Sequence, residues 1–221
     1  MTTTVSAGEG VPSAAPSSFA GLTLDRPRLM AVINATPDSF SDGGEAFAVE
    51  DAVRRGRVFL AEGADILDIG GESTRPGAEP VPVAEEIRRV VPVIEALVAE
   101  GALISVDSRR AEVMRAAVNA GARIINDVSA LQGDGALAAA AELAVPVILM
   151  HMQGEPGTMQ DNPTYSDVVA EVRDGLLARA QACREAGIAA KDIALDPGIG
   201  FGKTVAHNLA LLAHLDSLTA I

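Results

Sequence analysis

The chain has 221 residues, of which 48% are hydrophobic and 3% aromatic, and its formal net charge is −13. This length and composition exclude a mostly disordered chain and allow one substantial domain with an aliphatic core. The acidic balance and the lack of a basic run exclude a nucleic-acid partner or an anionic membrane partner.

The chain begins with small and polar residues. Residues 1–20 lack both the positive segment and the long apolar segment of a signal peptide, so we predict a disordered tail there and one domain over residues 21–221. The single cysteine, Cys183, excludes an internal disulfide and favours a reducing compartment. No apolar run approaches the roughly 20 residues of a membrane span, so we expect a cytoplasmic protein.

Strand and helix signals then alternate along the chain. Strands are predicted at Leu29–Ile33, Asp65–Ile69, Leu103–Val106, Arg123–Ile125, Pro146–Met150 and Ile193–Leu195. Helices are predicted at Val49–Glu62, Val83–Glu100, Ala111–Ala120, Gly135–Leu143, Tyr165–Ala186 and Val205–Ser217. Four of these helices are followed by a glycine that can cap them: Gly63, Gly101, Gly121 and Gly187. This order predicts an α/β protein with a parallel sheet and helical crossovers.

Two folds have this pattern, the doubly wound sheet and the TIM (β/α)8 barrel. The first loop, residues 34–44, reads NATPDSFSDGG and lacks the Gly-x-Gly-x-x-Gly pattern of dinucleotide-binding sheets, which favours the barrel. About six β/α units are present, whereas a barrel has eight, so we expect the last two units to be missing. The first and sixth strands would then be unpaired edges.

Polar groups directly follow three of the predicted strands: Asp107, Asn126 and Asp196. In α/β folds this end of the sheet carries the chemistry, and a carboxylate there can face a ligand. Two carboxylates and one amide suit a flat heterocycle with an amidine-like N–H edge. Taken singly, each of the three could instead cap the following helix.

Three loops add candidate residues. In the first, the Asn34 carbonyl could ligate a hard cation such as Mg²⁺, although such a loop can also be a turn without a further role. In the second, GGESTRPGAEPV, Arg75 suits phosphate oxygens or could form a surface ion pair with Glu72 or Glu79.

In the last loop, DPGIGFGKT, the glycines would keep the backbone close to a ligand. Phe201 offers an aromatic face there, and Lys203 would orient the loop or meet an anion. His151, after the fifth strand, is interpreted as a hydrogen-bonded structural residue, because no second His or Cys lies at metal-ligand spacing.

Together these strings resemble the dihydropteroate synthase family. The matching stretches occur in the order of the family and are NATPDSFSDGG, GGESTRPG, SVDS, IINDV, LMHMQ and LDPGIGFGK. The resemblance implies a TIM barrel that joins 6-hydroxymethyl-7,8-dihydropterin diphosphate to p-aminobenzoate, giving 7,8-dihydropteroate and diphosphate. It also implies that the C–O bond to diphosphate breaks first and that the aryl amine attacks the resulting pterin-methyl cation.

The resemblance also implies roles for single residues. Asp107, Asn126 and Asp196 would hold the pterin, and Asn34 would contact Mg²⁺ on the diphosphate. Thr74 and Arg75 would serve the substrate and diphosphate side. The p-aminobenzoate pocket would include Asp38, Phe40, Pro76 and Phe201, with Asp38 as the catalytic residue.

The chain also departs from the family pattern. Members continue with a Ser-Arg-Lys loop and an Arg-x-His motif, which are absent here, and the family dimer uses its last helices. We therefore expect a C-terminally incomplete synthase that is inactive or barely active alone and whose dimerisation is in doubt. The alternatives are a pterin-binding methyltransferase domain and a non-catalytic truncated homologue.

Overall fold

The computed structural model describes residues 18–35, 44–73 and 80–219. The described part starts with a hairpin of β1 (Ser18–Phe19) and β2 (Leu22–Thr23). Its turn residues Ala20 and Gly21 have φ of 51° and 85°, as a two-residue hairpin turn of the I′ type requires. The sequence did not predict this hairpin, and β1 begins within the stretch assigned to the disordered tail.

Six β/α units follow. The strands are β3 (Met30–Asn34), β4 (Ile66–Gly70), β5 (Ile104–Asp107), β6 (Ile124–Asp127), β7 (Val147–Met150) and β8 (Ile193–Asp196). The helices are α1 (Gly44–Ala61), α2 (Val83–Ala99), α3 (Ala111–Asn119), α4 (Ala136–Leu143), α5 (Val168–Glu185), α6 (Val205–Ala213) and α7 (Leu215–Thr219). The predicted order of six units is confirmed, and the four capping glycines all have positive φ.

Several element boundaries differ from the prediction, among them the starts of α1 and α5. Five of the six strands end one or two residues later than expected, so Asn34, Asp107, Asn126 and Asp196 belong to the strands. The last predicted helix divides at His214, whose backbone leaves the helical region and whose Nδ1 lies 2.9 Å from the carbonyl oxygen of Ala210. A short 3₁₀ turn, Ala190–Asp192, also precedes β8.

The six strands form one parallel sheet in chain order, β3-β4-β5-β6-β7-β8. A doubly wound sheet would reverse its strand order at a switch point, so this sequential order is that of a (β/α)8 barrel. Among the described residues, β3 pairs with β4 alone and β8 with β7 alone, as expected for edge strands.

One face of the sheet packs against the helices and forms an aliphatic core. Ile33, Leu67 and Ile69 from the strands and Ile94 and Leu97 from α2 are fully buried in one cluster. Burying each such side chain contributes about 1.5–3 kcal/mol, which holds the strands in register. In the described ranges, no helix is long and apolar enough to cross a membrane.

Candidate active site

The opposite face of the sheet carries a row of polar residues at the carboxyl ends of the strands. Asn34 on β3, Gly70 on β4, Asp107 on β5 and Asn126 on β6 are successive register partners. Register partners on parallel strands direct their side chains to the same face. The row therefore presents one carboxylate and two amides to a common space.

Asp196 reaches the same face from β8. The row continues from Asn126 to Ile148 and Ala194, and Asp196 lies two residues beyond Ala194. Since side chains on a strand alternate between faces, Asp196 and Ala194 share one face. The structure thus brings Asp107, Asn126 and Asp196 to one side of the sheet, as the sequence predicted.

The alternative that these three residues cap helices is wrong. The residues before α3, α4 and α6 are Arg110, Gly135 and Thr204. The carboxylate of Asp196 instead accepts a hydrogen bond of 2.7 Å from the amide of Gly198, within its own loop.

Gly70 separates two of the oxygen atoms in the row. A methyl group at Gly70 would lie 3.5 Å from Oδ2 of Asp107 and 3.6 Å from Oδ1 of Asn34. With glycine at this position, a ligand can approach both oxygens over the backbone of β4.

A second pair of polar residues lies on the same face, two residues before the carboxyl ends of β4 and β5. Asp68 and Ser105 are register partners, and each is almost fully buried. Oδ2 of Asp68 accepts a hydrogen bond of 2.9 Å from Nδ2 of Asn126. Oδ1 of Asp68 and Oγ of Ser105 have no hydrogen-bond partner within the described part of the chain.

The sequence interpretation missed Asp68 as a site residue. A signal was present, because β4 reads ILDIG and is buried at all five positions. A carboxylate inside such a run is costly without a partner, so it marks a polar contact or a ligand.

The carboxylates on this face share a low-dielectric environment. Burial, with the nearby carboxylates of Asp68 and Asp127, raises the pKa of Asp107 well above its ordinary value. Burial likewise raises the pKa of Asp68. The hydrogen bond from the Asn126 amide offsets this shift in part, and so does the nearby Ser105 hydroxyl, although that hydroxyl lies outside hydrogen-bonding geometry. Such a site favours a ligand that brings N–H donors or positive charge.

The last loop is held by Lys203, which is 3% exposed. Its ammonium group donates hydrogen bonds to the carbonyl oxygens of His151 at 3.0 Å and Phe201 at 2.9 Å. It also lies 3.3 Å from Nδ1 of His151. Lys203 therefore orients the loop, which is the first of the two roles predicted for it.

Two glycines of this loop have a packing role that the sequence did not predict. A Cβ atom at Gly198 would lie 2.1 Å from the carbonyl oxygen of His151, and one at Gly202 would lie 2.6 Å from that of Gln153. The missing side chains therefore let this loop pack on the backbone of the loop after β7. The close approach of this loop to a ligand stays a prediction, and Gly200 has no atom of the described residues within 4 Å of its Cβ position.

The Lys203 charge affects the titration of His151. Burial and the Lys203 charge lower the pKa of His151 to about 4. Burial lowers the pKa of Lys203 to about 8, although the Asp196 carboxylate opposes this shift. At neutral pH His151 is therefore a neutral imidazole beside a cationic lysine.

The two ends of the second loop are clamped together. Oε2 of Glu72 accepts a hydrogen bond of 2.9 Å from the amide of Val81. Arg110 binds Glu72 at 2.5 Å, the carbonyl oxygen of Val81, and the buried Glu86 at 2.7 Å. Oε1 of Glu86 accepts a further hydrogen bond of 2.7 Å from Ser108. The alternative that Arg75 pairs with Glu72 or Glu79 stays a prediction, because Arg75 lies outside the described residues.

Five predicted site residues lie outside the described residues: Asp38, Phe40, Thr74, Arg75 and Pro76. Phe201 is described and is half-buried in the last loop. No group of three or more His, Cys, Asp or Glu side chains that could hold a metal occurs within the described ranges. Asn34 remains the candidate metal ligand, since its Oδ1 lies at the exposed end of β3 beside Gly70.

Residues 30–221 match the model of the family described as "Pterin binding enzyme". A dihydropteroate synthase of Escherichia coli (strain K12) is 51% identical over 195 residues, which are 88% of this chain and 69% of that protein.

Solved structures agree with this match. A Xanthomonas albilineans dihydropteroate synthase with 4-aminobenzoic acid has a TM-score of 0.83 at 59% identity, covering 89% of this chain and 70% of that one. The enzyme of the same organism in complex with 7,8-dihydropteroate has a TM-score of 0.80 at 55% identity, covering 90% and 70%.

Proposed function

The chain belongs to the pterin-binding enzyme family, and we propose that it acts as a dihydropteroate synthase on 6-hydroxymethyl-7,8-dihydropterin diphosphate and p-aminobenzoate. The observation that carries the proposal is the convergence of Asp107, Asn126 and Asp196 on one face of the sheet. The synthase names of the relatives favour this reaction over that of a pterin-binding methyltransferase.

The chemistry of the row fits a pterin. A pterin ring presents adjacent N–H donors in an amidine-like edge, and carboxylates accept such donors with charge-assisted hydrogen bonds. The pKa of Asp107 is raised because the carboxylate lacks enough compensation in its buried position. A bound N–H edge supplies that compensation, so binding and ionisation of Asp107 stabilise each other.

The same carboxylates support the chemical step. When the C–O bond to diphosphate breaks, its electron pair leaves with diphosphate and positive charge spreads over the pterin-methyl group. The fixed negative charges of Asp107 and Asp196 would stabilise that charge. The amine of p-aminobenzoate then forms the new C–N bond and loses a proton. The predicted catalytic role of Asp38 in this step is part of the proposal.

The row also fits a magnesium ion. Mg²⁺ takes oxygen ligands and keeps water and substrate phosphate oxygens in its shell, so it needs few protein ligands. Oδ1 of Asn34 and Oδ2 of Asp107 flank Gly70 and are oxygen donors of this kind. We therefore propose that Asn34 contacts Mg²⁺. When bound, the ion would offset negative charge on the diphosphate leaving group.

The location of the protein is a further part of the proposal. Cys183 is a free and buried thiol, and burial raises its pKa, so it has little thiolate character. A chain with this single cysteine needs no oxidising environment to fold, which supports the cytoplasm as its place of action.

Calorimetry on the 221-residue chain tests the proposal. Titration with 6-hydroxymethyl-7,8-dihydropterin diphosphate and Mg²⁺ should give saturable binding heat, and adding p-aminobenzoate tests for diphosphate release. A chain that is folded by circular dichroism but gives no binding heat contradicts the proposal. Robust diphosphate release would show that the expectation of an inactive chain is wrong.

A further inference from the structure

We propose that Asp68 is a positioning residue, which holds the amide of Asn126 in the one orientation that meets the pterin. This inference rests on the proposed function and names a residue that acts through another. It starts from the hydrogen bond of 2.9 Å between Nδ2 of Asn126 and Oδ2 of Asp68.

The bond joins two strands that are not neighbours. Asp68 lies on β4 and Asn126 on β6, with β5 between them. The bond therefore crosses β5 on the face that carries Ser105, the register partner of Asp68, and Asp107, the register partner of Asn126. It therefore ties together the floor of the site beneath Asp107.

The bond also decides which end of the amide faces a ligand. A side-chain amide has one acceptor oxygen and two N–H donors. One N–H of Asn126 is committed to Asp68, which leaves its carbonyl oxygen and its second N–H for a ligand. A flipped amide would place its oxygen against the carboxyl oxygen of Asp68, acceptor against acceptor.

Burial makes this preference strong. Asp68 is 2% exposed, so water cannot replace a lost partner. Within the described residues, the amide of Asn126 is the one hydrogen bond that the Asp68 carboxyl makes, since its other oxygen has none. Burial raises the pKa of Asp68, and a neutral carboxyl group still accepts a hydrogen bond at its carbonyl oxygen. The positioning role therefore needs an acceptor at residue 68, not a charge.

Three variants separate these features. Asp68→Asn keeps an acceptor oxygen of the same shape without a charge, whereas Asp68→Leu removes the acceptor. Ser105→Ala is the matched control, because it removes an equally buried hydroxyl beside Asp68 and leaves the acceptor of the Asn126 amide in place.

The first readout does not need the pterin. In the ¹⁵N-labelled wild-type chain, one of the two Nδ2 protons of Asn126 should exchange slowly with solvent. Its chemical shift should be well separated from that of the other Nδ2 proton. Asp68→Asn and Ser105→Ala should keep this signature, and Asp68→Leu should lose it. If both protons of wild-type Asn126 exchange rapidly, the proposal is overturned, even if Asp68→Leu does not fold.

The second readout is calorimetric affinity for 6-hydroxymethyl-7,8-dihydropterin diphosphate. We expect a loss of about tenfold or more for Asp68→Leu, as for a lost buried hydrogen bond, and less than about threefold for the other two variants. Equal losses for Asp68→Asn and Asp68→Leu, or no loss for either, would overturn the positioning role. If the wild-type chain binds no pterin, the proposed function fails, and the exchange readout still decides the orientation of Asn126.

Discussion

Asp107 and Asn126 are register partners on adjacent parallel strands, so a carboxylate and an amide stand side by side on one face of the sheet. The side chain of Asp107 has no hydrogen-bond partner among the described residues, whereas the Asn126 amide donates to Asp68. The pair therefore combines a free acceptor with an oriented amide, and both are available to a ligand.

Replacing the carboxylates should weaken pterin binding. Asp107→Asn and Asp196→Asn each remove a charge-assisted hydrogen bond, which should cost about 1.5–3 kcal/mol of binding free energy. Calorimetry with the pterin diphosphate measures this cost. Asp174→Asn is the control, because it removes an exposed carboxylate within α5, away from the strand ends. Unchanged affinity in both site variants would refute the assignment.

Alanine substitutions at two neighbouring glycines should have different effects, one on ligand binding and the other on stability. Gly70→Ala places a methyl group at ordinary contact distance, 3.5 Å from Asp107 and 3.6 Å from Asn34, in the space proposed for the ligand. The fold should keep its stability, while the affinity for pterin diphosphate should fall by about tenfold.

Gly71→Ala should do the reverse. Its Cβ atom would lie 2.9 Å from side-chain atoms of Glu86 and Val90 and 3.1 Å from the Glu86 carbonyl oxygen, so α2 must shift. Chemical denaturation should show a loss of about 1–3 kcal/mol in the free energy of unfolding. Equal stability of the two alanine variants would contradict this distinction.

The half-buried His151 should make the stability depend on pH. Its pKa is lowered to about 4 in the folded state, while the unfolded chain binds the proton near pH 6.5. Between these values the unfolded state binds more protons, so the free energy of unfolding should fall as the pH falls from 6.5 to 4.

The comparison that isolates this effect is wild type against His151→Gln. Since His151 is only partly buried, the stability difference between them should change by about 1–3 kcal/mol across this pH range. Urea unfolding at pH 7, 5.5 and 4.5 would measure it, and parallel pH profiles would argue against titration of His151.

The ion pair between Arg110 and Glu86 should show strong coupling. The side chain of Glu86 is 2% exposed and that of Arg110 is 18% exposed. Arg110→Met leaves a buried carboxylate unpaired, which should cost about 3–5 kcal/mol of stability at neutral pH. Because burial already raises the pKa of Glu86, this cost should shrink as the pH is lowered and the carboxylate becomes neutral.

A double-mutant cycle with Glu86→Gln tests this interpretation. The double variant should be more stable than the sum of the single losses predicts, by about 0.5–3 kcal/mol. Additive losses would mean that Arg110 acts through its other partners, Glu72 and Val81.

Much of the architecture was predictable from the chain alone. The alternation of short apolar runs with helical periodicity is a local property, and it predicted six β/α units and the glycines that end four helices. Because parallel strands carry their chemistry at one end, the positions of Asp107, Asn126 and Asp196 after three predicted strands were sufficient to place them at one edge of the sheet.

Tertiary structure decided the contacts between distant parts of the chain. Asp68 and Asn126 are 58 residues apart, and Lys203 and His151 are 52 residues apart. Such pairs depend on strand register and on how loops pack, which no local pattern specifies. The packing of Gly198 and Gly202 against another loop is of the same kind. The sequence by itself determined which polar groups lie at the edge of the sheet. Only the folded chain decided which of them are held by hydrogen bonds and which are free to bind a ligand. The reason is that a buried polar group takes its partner from the residues that the packed strands place beside it.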